Sequence, residues 1–260
     1  MAAAAMLRAA RAHQAGGLNV SKRRLFASPL PATARELTLS EESRHHAQVL
    51  RLSVGDELRL FDARGGEADA RVTRCDKRAL VCDVADPVFI EPPRERLQLA
   101  VCVPKAAKLE LIVRMATEMG VSSVQLIASE HAVPKYTSDA PKLERLQRIA
   151  IEACAQSEQA YAPTLLGPLP LSAALESVPS EVMKLACVTR VDAPSIQSTP
   201  LSAAEVWVLV GPEGGLSPAE LALLAQHDVA ALSLGSGILR VETACVVACA
   251  QLLGCMRERA

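Results

Sequence analysis

The hydrophobic period of the chain changes near residue 96. From residue 36 to 86 apolar and polar positions alternate in the β manner, in Glu57-Leu58-Arg59-Leu60-Phe61, in Ala68 to Val72 and in Ala79 to Val84, with turn signals at Asp62 to Gly66 and at Asp76-Lys77. That pattern predicts a small barrel or sandwich. Glu91-Pro92-Pro93-Arg94 is a natural linker, because neighbouring prolines stop both helix and ladder. Beyond it, strand and helix patterns take turns. Leu97 to Val103 reads as a strand; Leu109, Ile112, Met115, Ala116 and Met119 then recur at helical spacing until Gly120 ends the helix. Ser123 to Ala128 is the next strand, and Pro141 opens a helix with Leu143, Leu146, Ile149, Ala150 and Ala153 on one face. This alternation predicts an α/β unit with a mainly parallel sheet.

Two later runs, Val206-Trp207-Val208-Leu209-Val210 and Ala230-Ala231-Leu232-Ser233-Leu234, have the look of strands buried on both faces of such a sheet. Each leads through a glycine-bearing turn into a helical pattern: Gly211-Pro212-Glu213-Gly214-Gly215 after the first, Gly235-Ser236-Gly237-Ile238-Leu239-Arg240 after the second. Ligands of open parallel sheets bind just past the carboxyl ends of the strands, so the pair of turns marks a ligand site. Ser217-Pro218-Ala219-Glu220 combines a hydroxyl N-cap, a proline at the first helical position and a glutamate three residues after the cap, and therefore starts a helix. Three glycines in five residues let the backbone approach a flat ligand closely; the plainer alternative is an ordinary βα turn. Neither turn is a phosphate fingerprint of the dinucleotide or P-loop kind.

Composition narrows the picture. With 28 Lys/Arg against 29 Asp/Glu the net charge is −1, so any surface for a polyanion must be a local patch rather than a global field. Residues 1–21 are alanine-rich, with Arg8 and Arg11 and no carboxylate. They read as an organellar transit peptide, for mitochondrion or chloroplast, or else as a disordered basic arm of a bacterial or cytoplasmic protein. The eight cysteines include no Cys-x-x-Cys pair and lie mostly in apolar patterns, as small core residues of a reducing compartment would. The five histidines show no ligand spacing, and no metal is expected. The longest apolar run, Thr243 to Met256, is broken by Gln251 and too short to cross a membrane. It is apolar almost all round, so it must be covered on more than one side, within the monomer or by a second subunit.

The two glycine turns closely resemble the cofactor-binding knot of the SPOUT methyltransferases, in particular the RsmE family of small-subunit rRNA uracil-N3 methyltransferases. Upstream, Val103-Pro104-Lys105 with Ala116-Thr117-Glu118-Met119-Gly120-Val121 looks like that family's first strand and helix. Glu144-Arg145 through Glu152-Ala153-Cys154-Ala155-Gln156-Ser157 looks like its second helix, and Arg23-Arg24-Leu25-Phe26 and His45 to Asp56 resemble its PUA-like barrel. The likeness runs roughly from 22 to 250 in the family's order. It implies an α/β domain of SPOUT type at 97–260, with a deep trefoil knot in a mainly parallel sheet. A PUA-like RNA-binding β-barrel at 22–90 and a linker at 91–96 would precede it. It further implies a homodimer, small-subunit rRNA or the assembled small ribosomal subunit as partner, and S-adenosylmethionine as cofactor. The cofactor would be held by Thr189, Gly211, Pro212, Glu213, Gly214, Gly215, Leu234, Gly235, Ser236, Ile238 and Leu239.

Methylation at N3 of a uracil requires loss of the N3 proton, with charge developing on the base carbonyls. Arg240 is placed to stabilise that charge. Glu242 is expected either as the proton acceptor or as the ion-pair partner of Arg240 at the helix start. RNA contacts are expected at Arg23, Arg24, His45 and Arg51 on the barrel and at Lys105, Lys135 and Gln156 near the cleft, mostly to phosphates. Two departures from the family stand out: Gln159 where an arginine is common, and His131-Ala132 where an Arg-Ser pair is usual. They leave open an RNA-binding assembly factor that has lost turnover, and a SPOUT methyltransferase acting on another RNA.

Overall fold

The computed structural model describes residues 23–131, 140–189, 193–201 and 203–258. The chain divides into two compact units, Met1–Ile90 and Glu91–Ala260. The basic segment 1–21 lies outside the described residues.

The first unit contains β1 (Arg24–Phe26), β2 (Arg35–Thr38), α1 (Glu41–Val49), β3 (Glu57–Phe61), β4 (Gly66–Cys75), β5 (Leu80–Val84) and β6 (Val88–Phe89). The strands form one sheet in the order β1-β3-β4-β5-β2, with β6 beside β4. Its pairs are antiparallel except β1 with β3. The alternation is physical: Leu58 and Leu60 of β3, Ala68, Ala70 and Val72 of β4 and Leu80, Cys82 and Val84 of β5 all enter one core, as the period of two requires. Helix α1 corrects the uniformly β reading of residues 36–86. Ser40 caps it, its Oγ accepting from the Ser43 N–H, and Glu41 and Glu42 occupy the first turn, where the helix dipole favours them. Only Ser43 and Ala47 are buried in it, so it carries no apolar stripe that a periodicity reading could detect.

The second unit contains β7 (Arg96–Cys102), α2 (Ala106–Met119), β8 (Ser123–Ala128), α3 (Ala140–Ser157), β9 (Thr164–Pro170), α4 (Leu171–Ser177), β10 (Met183–Cys187), a 3-10 turn (Ile196–Ser198), β11 (Glu205–Val210), α5 (Pro218–Gln226), β12 (Ala230–Leu232) and α6 (Val241–Arg257). Its six strands run in the order β12-β10-β11-β7-β8-β9, and every neighbouring pair is parallel. Helices cover both faces. Leu97, Leu99 and Val101 of β7 and Val206 and Val208 of β11 pack with Ile112, Val113, Ala116, Ala248 and Leu252 of α2 and α6. The alternate residues Ala100, Cys102, Trp207 and Leu209 pack with Leu171, Leu175 and Leu224 of α4 and α5. Burial on both faces holds for β11 but not for β12, whose Ala230 and Ala231 are exposed, because β12 ends the sheet. In the core, Trp207 Nε1 donates to Gln125 Oε1 at 2.9 Å, so a buried polar pair is satisfied.

Gly120 ends α2 with φ +84°, a left-handed cap that a side chain would strain. Helices α2 and α3 connect parallel neighbours, β7 to β8 and β8 to β9, so each starts beside the carboxyl ends of the strands and runs back toward their amino ends; Arg257 at the end of α6 comes close to Gly120 at the end of α2. No described helix is long and apolar enough to cross a membrane.

Candidate cofactor site

Strands β12, β10 and β11 lie side by side, and their register aligns Cys187 with both Val210 and Leu232. Three chain segments therefore leave the sheet at one level, and their loops enclose a cavity of about 280 Å³, near the lower end of the usual range for small-molecule sites. The segment after β10 contributes Cys187, Val188 and Thr189. The first turn contributes Gly211, Pro212, Glu213, Gly215 and Leu216, and the second Leu234, Gly235, Gly237, Ile238 and Leu239, with Leu221, Val241 and Ala244 completing the wall. Of the residues expected to hold the cofactor, only Gly214 and Ser236 are outside this lining. Beyond the two motifs Thr189 is an expected wall residue, whereas Cys187, Val188, Leu216 and Leu221 carry no signal in the sequence; only the strand order brings β10 between the two turns.

The lining suits a flat ligand with polar edges. Gly215 and Gly235 have φ +77° and +131°, and a Cβ added at Gly215, Gly235 or Gly237 would meet no protein atom within 4 Å. The fold does not crowd these positions; their backbone is left bare toward whatever fills the cavity. Leu216, Leu221, Ile238 and Leu239 supply apolar surface. Burial pushes the Cys187 thiol up to about 12, so Cys187 is a protonated wall residue and not a nucleophile. Among the described residues no three His, Cys, Asp or Glu side chains come together as a metal site would require.

The first turn is braced from three sides. Ser217 caps α5 and Glu220 returns the bond, its Oε2 accepting from the Ser217 N–H at 2.8 Å while Oε1 accepts from the Glu130 N–H at 3.1 Å. This is the expected capping box, now also tied to the loop after β8. Replacing the buried Glu220 with alanine should cost about 2 kcal/mol, since two hydrogen bonds to a charged acceptor outweigh the relief of unburying it; urea denaturation measures this. His131 Nδ1 lies 3.0 Å from Gly215 O, and a Cβ on Gly214 would come within 3.3 Å of His131 Cβ. The residue that stands in place of a family arginine thus packs against the turn itself.

On the third side Lys108 Nζ donates to Glu213 Oε1 at 2.7 Å and lies 3.4 Å from Glu242 Oε2. The latter is an ion-pair distance without hydrogen-bond geometry, and Glu242 Oε2 is buried with no hydrogen-bond donor on it. One expectation is corrected here: the ion-pair partner of Glu242 is Lys108 and not Arg240. Glu213, expected at the cofactor, meets the same lysine. Hydrogen bonding to Glu213 holds the Lys108 ammonium above its usual range, and the same bond, helped by the Glu213 backbone N–H, holds the Glu213 carboxyl below its own. A depressed carboxyl contributes stability that is present above its unfolded value of 4.5 and lost as pH falls through the lower folded value. The raised lysine contributes below 10.5 and loses its contribution as pH climbs past the higher folded value. The pair's contribution to stability should therefore be intact from about pH 5 to 10 and be lost in acid as Glu213 protonates below the usual carboxylate range, as read by urea denaturation at a series of pH values.

Arg240 is the exposed N-cap residue of α6 and Glu242 follows in its first turn; neither lines the cavity. Lys105, the N-cap residue of α2, is exposed and close enough to lower the Glu213 carboxyl further. Gln156 corrects another expectation. It sits at the last turn of α3, beside Gln159, whose Nε2 donates to Glu118 O at the far end of α2 at 3.1 Å. From Lys108 to Gly120 that helix spans about 18 Å, so within one chain Gln156 and Gln159 lie at the opposite edge of the sheet from the cavity.

On the barrel, His45 and Arg51 are exposed, and Arg23 is half-exposed, donating to Leu50 O and pairing with Asp56 at 3.2 Å. Arg24 is not a surface residue at all. It is 6% exposed, pairs with the buried Glu67 at 2.5 Å and lies 4.5 Å over the Phe61 ring. Its expected phosphate contact is corrected to a core ion pair. Lys135 lies outside the described residues.

Comparison with known proteins agrees with this geometry. An RNA methyltransferase domain model matches residues 91–253 and an RNA methyltransferase PUA domain model matches residues 39–85. The ribosomal RNA small subunit methyltransferase E of Synechocystis sp. is 33% identical over 240 residues, covering 88% of this chain and 76% of its own length. That of Rickettsia conorii is 33% identical over 217 residues, covering 81% and 87%. Among solved structures, the ribosomal RNA small subunit methyltransferase E of Neisseria gonorrhoeae bound to S-adenosylmethionine has a TM-score of 0.83 at 26% identity, covering 90% of this chain and 98% of its own. A Legionella pneumophila structure in complex with the same cofactor has a TM-score of 0.85 at 26% identity, covering 91% and 98%.

Proposed function

The chain belongs to the ribosomal RNA small subunit methyltransferase E family, and on that footing we propose that it transfers a methyl group from S-adenosylmethionine to N3 of a uridine in small-subunit rRNA. The observation that carries the reading is the alignment of three neighbouring parallel strands, ending at Cys187, Val210 and Leu232, beneath a cavity lined by bare glycine backbone and leucine side chains. Bound there, S-adenosylmethionine supplies an activated methyl group on a sulfonium.

The protein's share of the chemistry is alignment and charge. Thr189, Gly211 to Gly215 and Leu234 to Leu239 hold the donor and exclude water from one side of it. Fixing the methyl carbon in line with N3 is itself worth several powers of ten. Arg240, outside the cavity lining at the head of α6, faces the base and stabilises the charge that grows on its carbonyls. As the methyl group moves to N3, the N3 proton would pass to a carboxylate, for which Glu242, beside the cavity in the first turn of α6, is the candidate. Its Oε2 has a lone pair that no donor occupies.

The deep trefoil knot and the homodimer belong to the same proposal. In support, the strand order carries the chain from β9 at one end of the sheet to β10 near the other and then back to β11 beside β7. For the dimer, α6 keeps Val246 and Val247 only half-buried and Thr243, Ala250 and Gly254 exposed, a narrow small-residue face suited to a second helix. RNA engagement through Arg23, His45, Arg51 and Lys105 is likewise proposed. Against the assembly-factor alternative, His131 braces the first turn, and within one chain Gln159 stands about a helix length from the cavity.

The test is methyl transfer from labelled S-adenosylmethionine to small ribosomal subunits lacking the modification, with nucleoside analysis of the product. Labelled 3-methyluridine at one rRNA position supports the proposal; no incorporation despite measurable cofactor binding overturns the choice of substrate.

A further inference from the structure

Helix α2 begins in an electrostatically unfavourable way. Its N-cap residue is Lys105, its first turn holds no acid, and no side chain caps it. Lys108 adds a second cation where the dipole already concentrates positive charge. A lysine at such a place is not there for the helix. Its ammonium instead reaches across to the other side of the cavity entrance, 2.7 Å from Glu213 Oε1 and 3.4 Å from Glu242 Oε2. Glu213 belongs to the first turn and lines the cavity. Glu242 belongs to the first turn of α6, directly after the second motif, and its side chain is only 17% exposed. The two turns come from strands separated by β10, and no hydrogen bond or ion pair among the described residues joins them directly. Without a cation between them, two carboxylates would approach each other at the entrance and push the turns apart.

We propose that Lys108 is a positioning residue of the cofactor site, a single ammonium that ties Glu213 of the first turn to Glu242 at the start of α6, directly after the second turn, and so sets the separation of the two turns. This rests on the reading of the cavity as the S-adenosylmethionine site. Lys108 does not line the cavity and acts through the two carboxylates. An ammonium can donate to one carboxylate while pairing by charge with a second, and the half-exposed Lys108–Glu213 contact alone would be worth little; its value lies in reaching two elements.

The test is calorimetric titration of the full chain with S-adenosylmethionine and, separately, with its neutral product S-adenosylhomocysteine. Lys108→Met should weaken both ligands about tenfold, and Lys108→Arg should stay within about threefold of the parent for both. Adding Lys108→Met to a Glu213→Gln background should cost less than about threefold more, because coupled residues do not add. The neutral ligand separates positioning from plain charge: if Lys108 only repelled the sulfonium, its loss would tighten S-adenosylmethionine and leave the neutral product unchanged, and that result overturns the proposal. Unchanged binding of both ligands by Lys108→Met overturns it as well. Should Lys108→Met fail to fold, Lys108→Gln carries the same expectations, with its melting temperature recorded to confirm a folded chain. If the parent chain itself binds neither ligand, it is the cofactor reading that falls, and the inference with it.

Discussion

Arg240→Ala is expected to lower methyl transfer about a thousandfold while S-adenosylmethionine binding stays within about threefold, the pattern of losing a group that stabilises charge only as it develops. The two halves of this expectation come from different features. Arg240 is exposed at the N-cap of α6, does not line the cavity and makes no ion pair among the described residues, so removing its guanidinium leaves the cofactor walls in place. The cap is equally safe, because no side-chain cap bond is lost. On the proposed mechanism, what disappears is a positive charge beside the place where the uracil carbonyls would gain negative charge. Single-turnover transfer of labelled methyl, with calorimetry for the cofactor, separates the two. Full activity would remove Arg240 from the mechanism, and lost cofactor binding would make it part of the pocket instead.

Arg24→Ala is expected to destabilise the first unit by about 3–5 kcal/mol, the cost of leaving a buried carboxylate without its cation. Glu67 is 6% exposed, and its other cation, Arg59, reaches it at 3.3 Å from a side chain that is 41% exposed. Arg24 also covers Phe61, which packs edge-on against Phe26 with centroids 5.9 Å apart, so the substitution opens a gap beside an aromatic pair. Hydrogen exchange along β1, β3 and β4, combined with urea denaturation, localises the loss. Arg24→Met with Glu67→Gln should recover much of it, because the stranded charge is then gone while the volume is kept. A surface arginine serving phosphates would behave oppositely: near-parental stability with weakened, salt-sensitive RNA binding. That second outcome would restore the RNA-contact reading.

What could be read from the sequence alone is what local physics decides. The strands β3, β5, β7, β8 and β11 follow from periods of two or short apolar runs, and α2, with its left-handed Gly120 cap, follows from apolar spacing and one glycine. The start of α5 follows from Ser217, Pro218 and Glu220, whose reciprocal bonds need only neighbours in sequence. The two glycine turns likewise announced a ligand site, since bare backbone after buried strands has few other uses. Helix α1 stayed hidden because it buries almost nothing, and the exposure of β12 because only sheet order says which strand is last.

The partners of charged groups belonged to the tertiary structure. Arg24 and Arg23 are neighbours in sequence, yet successive strand residues face opposite ways, and pairing with β3 turned Arg24 inward to Glu67. Glu242 had Arg240 two residues away, but residues two apart on a helix do not face each other, and its cation came from Lys108 in another element altogether. Gln156 looked close to the cleft until the direction of α3 put it at the far edge of the sheet. Charge pairing acts across a few ångströms of space with no regard for chain distance, and so only the packed fold could assign it.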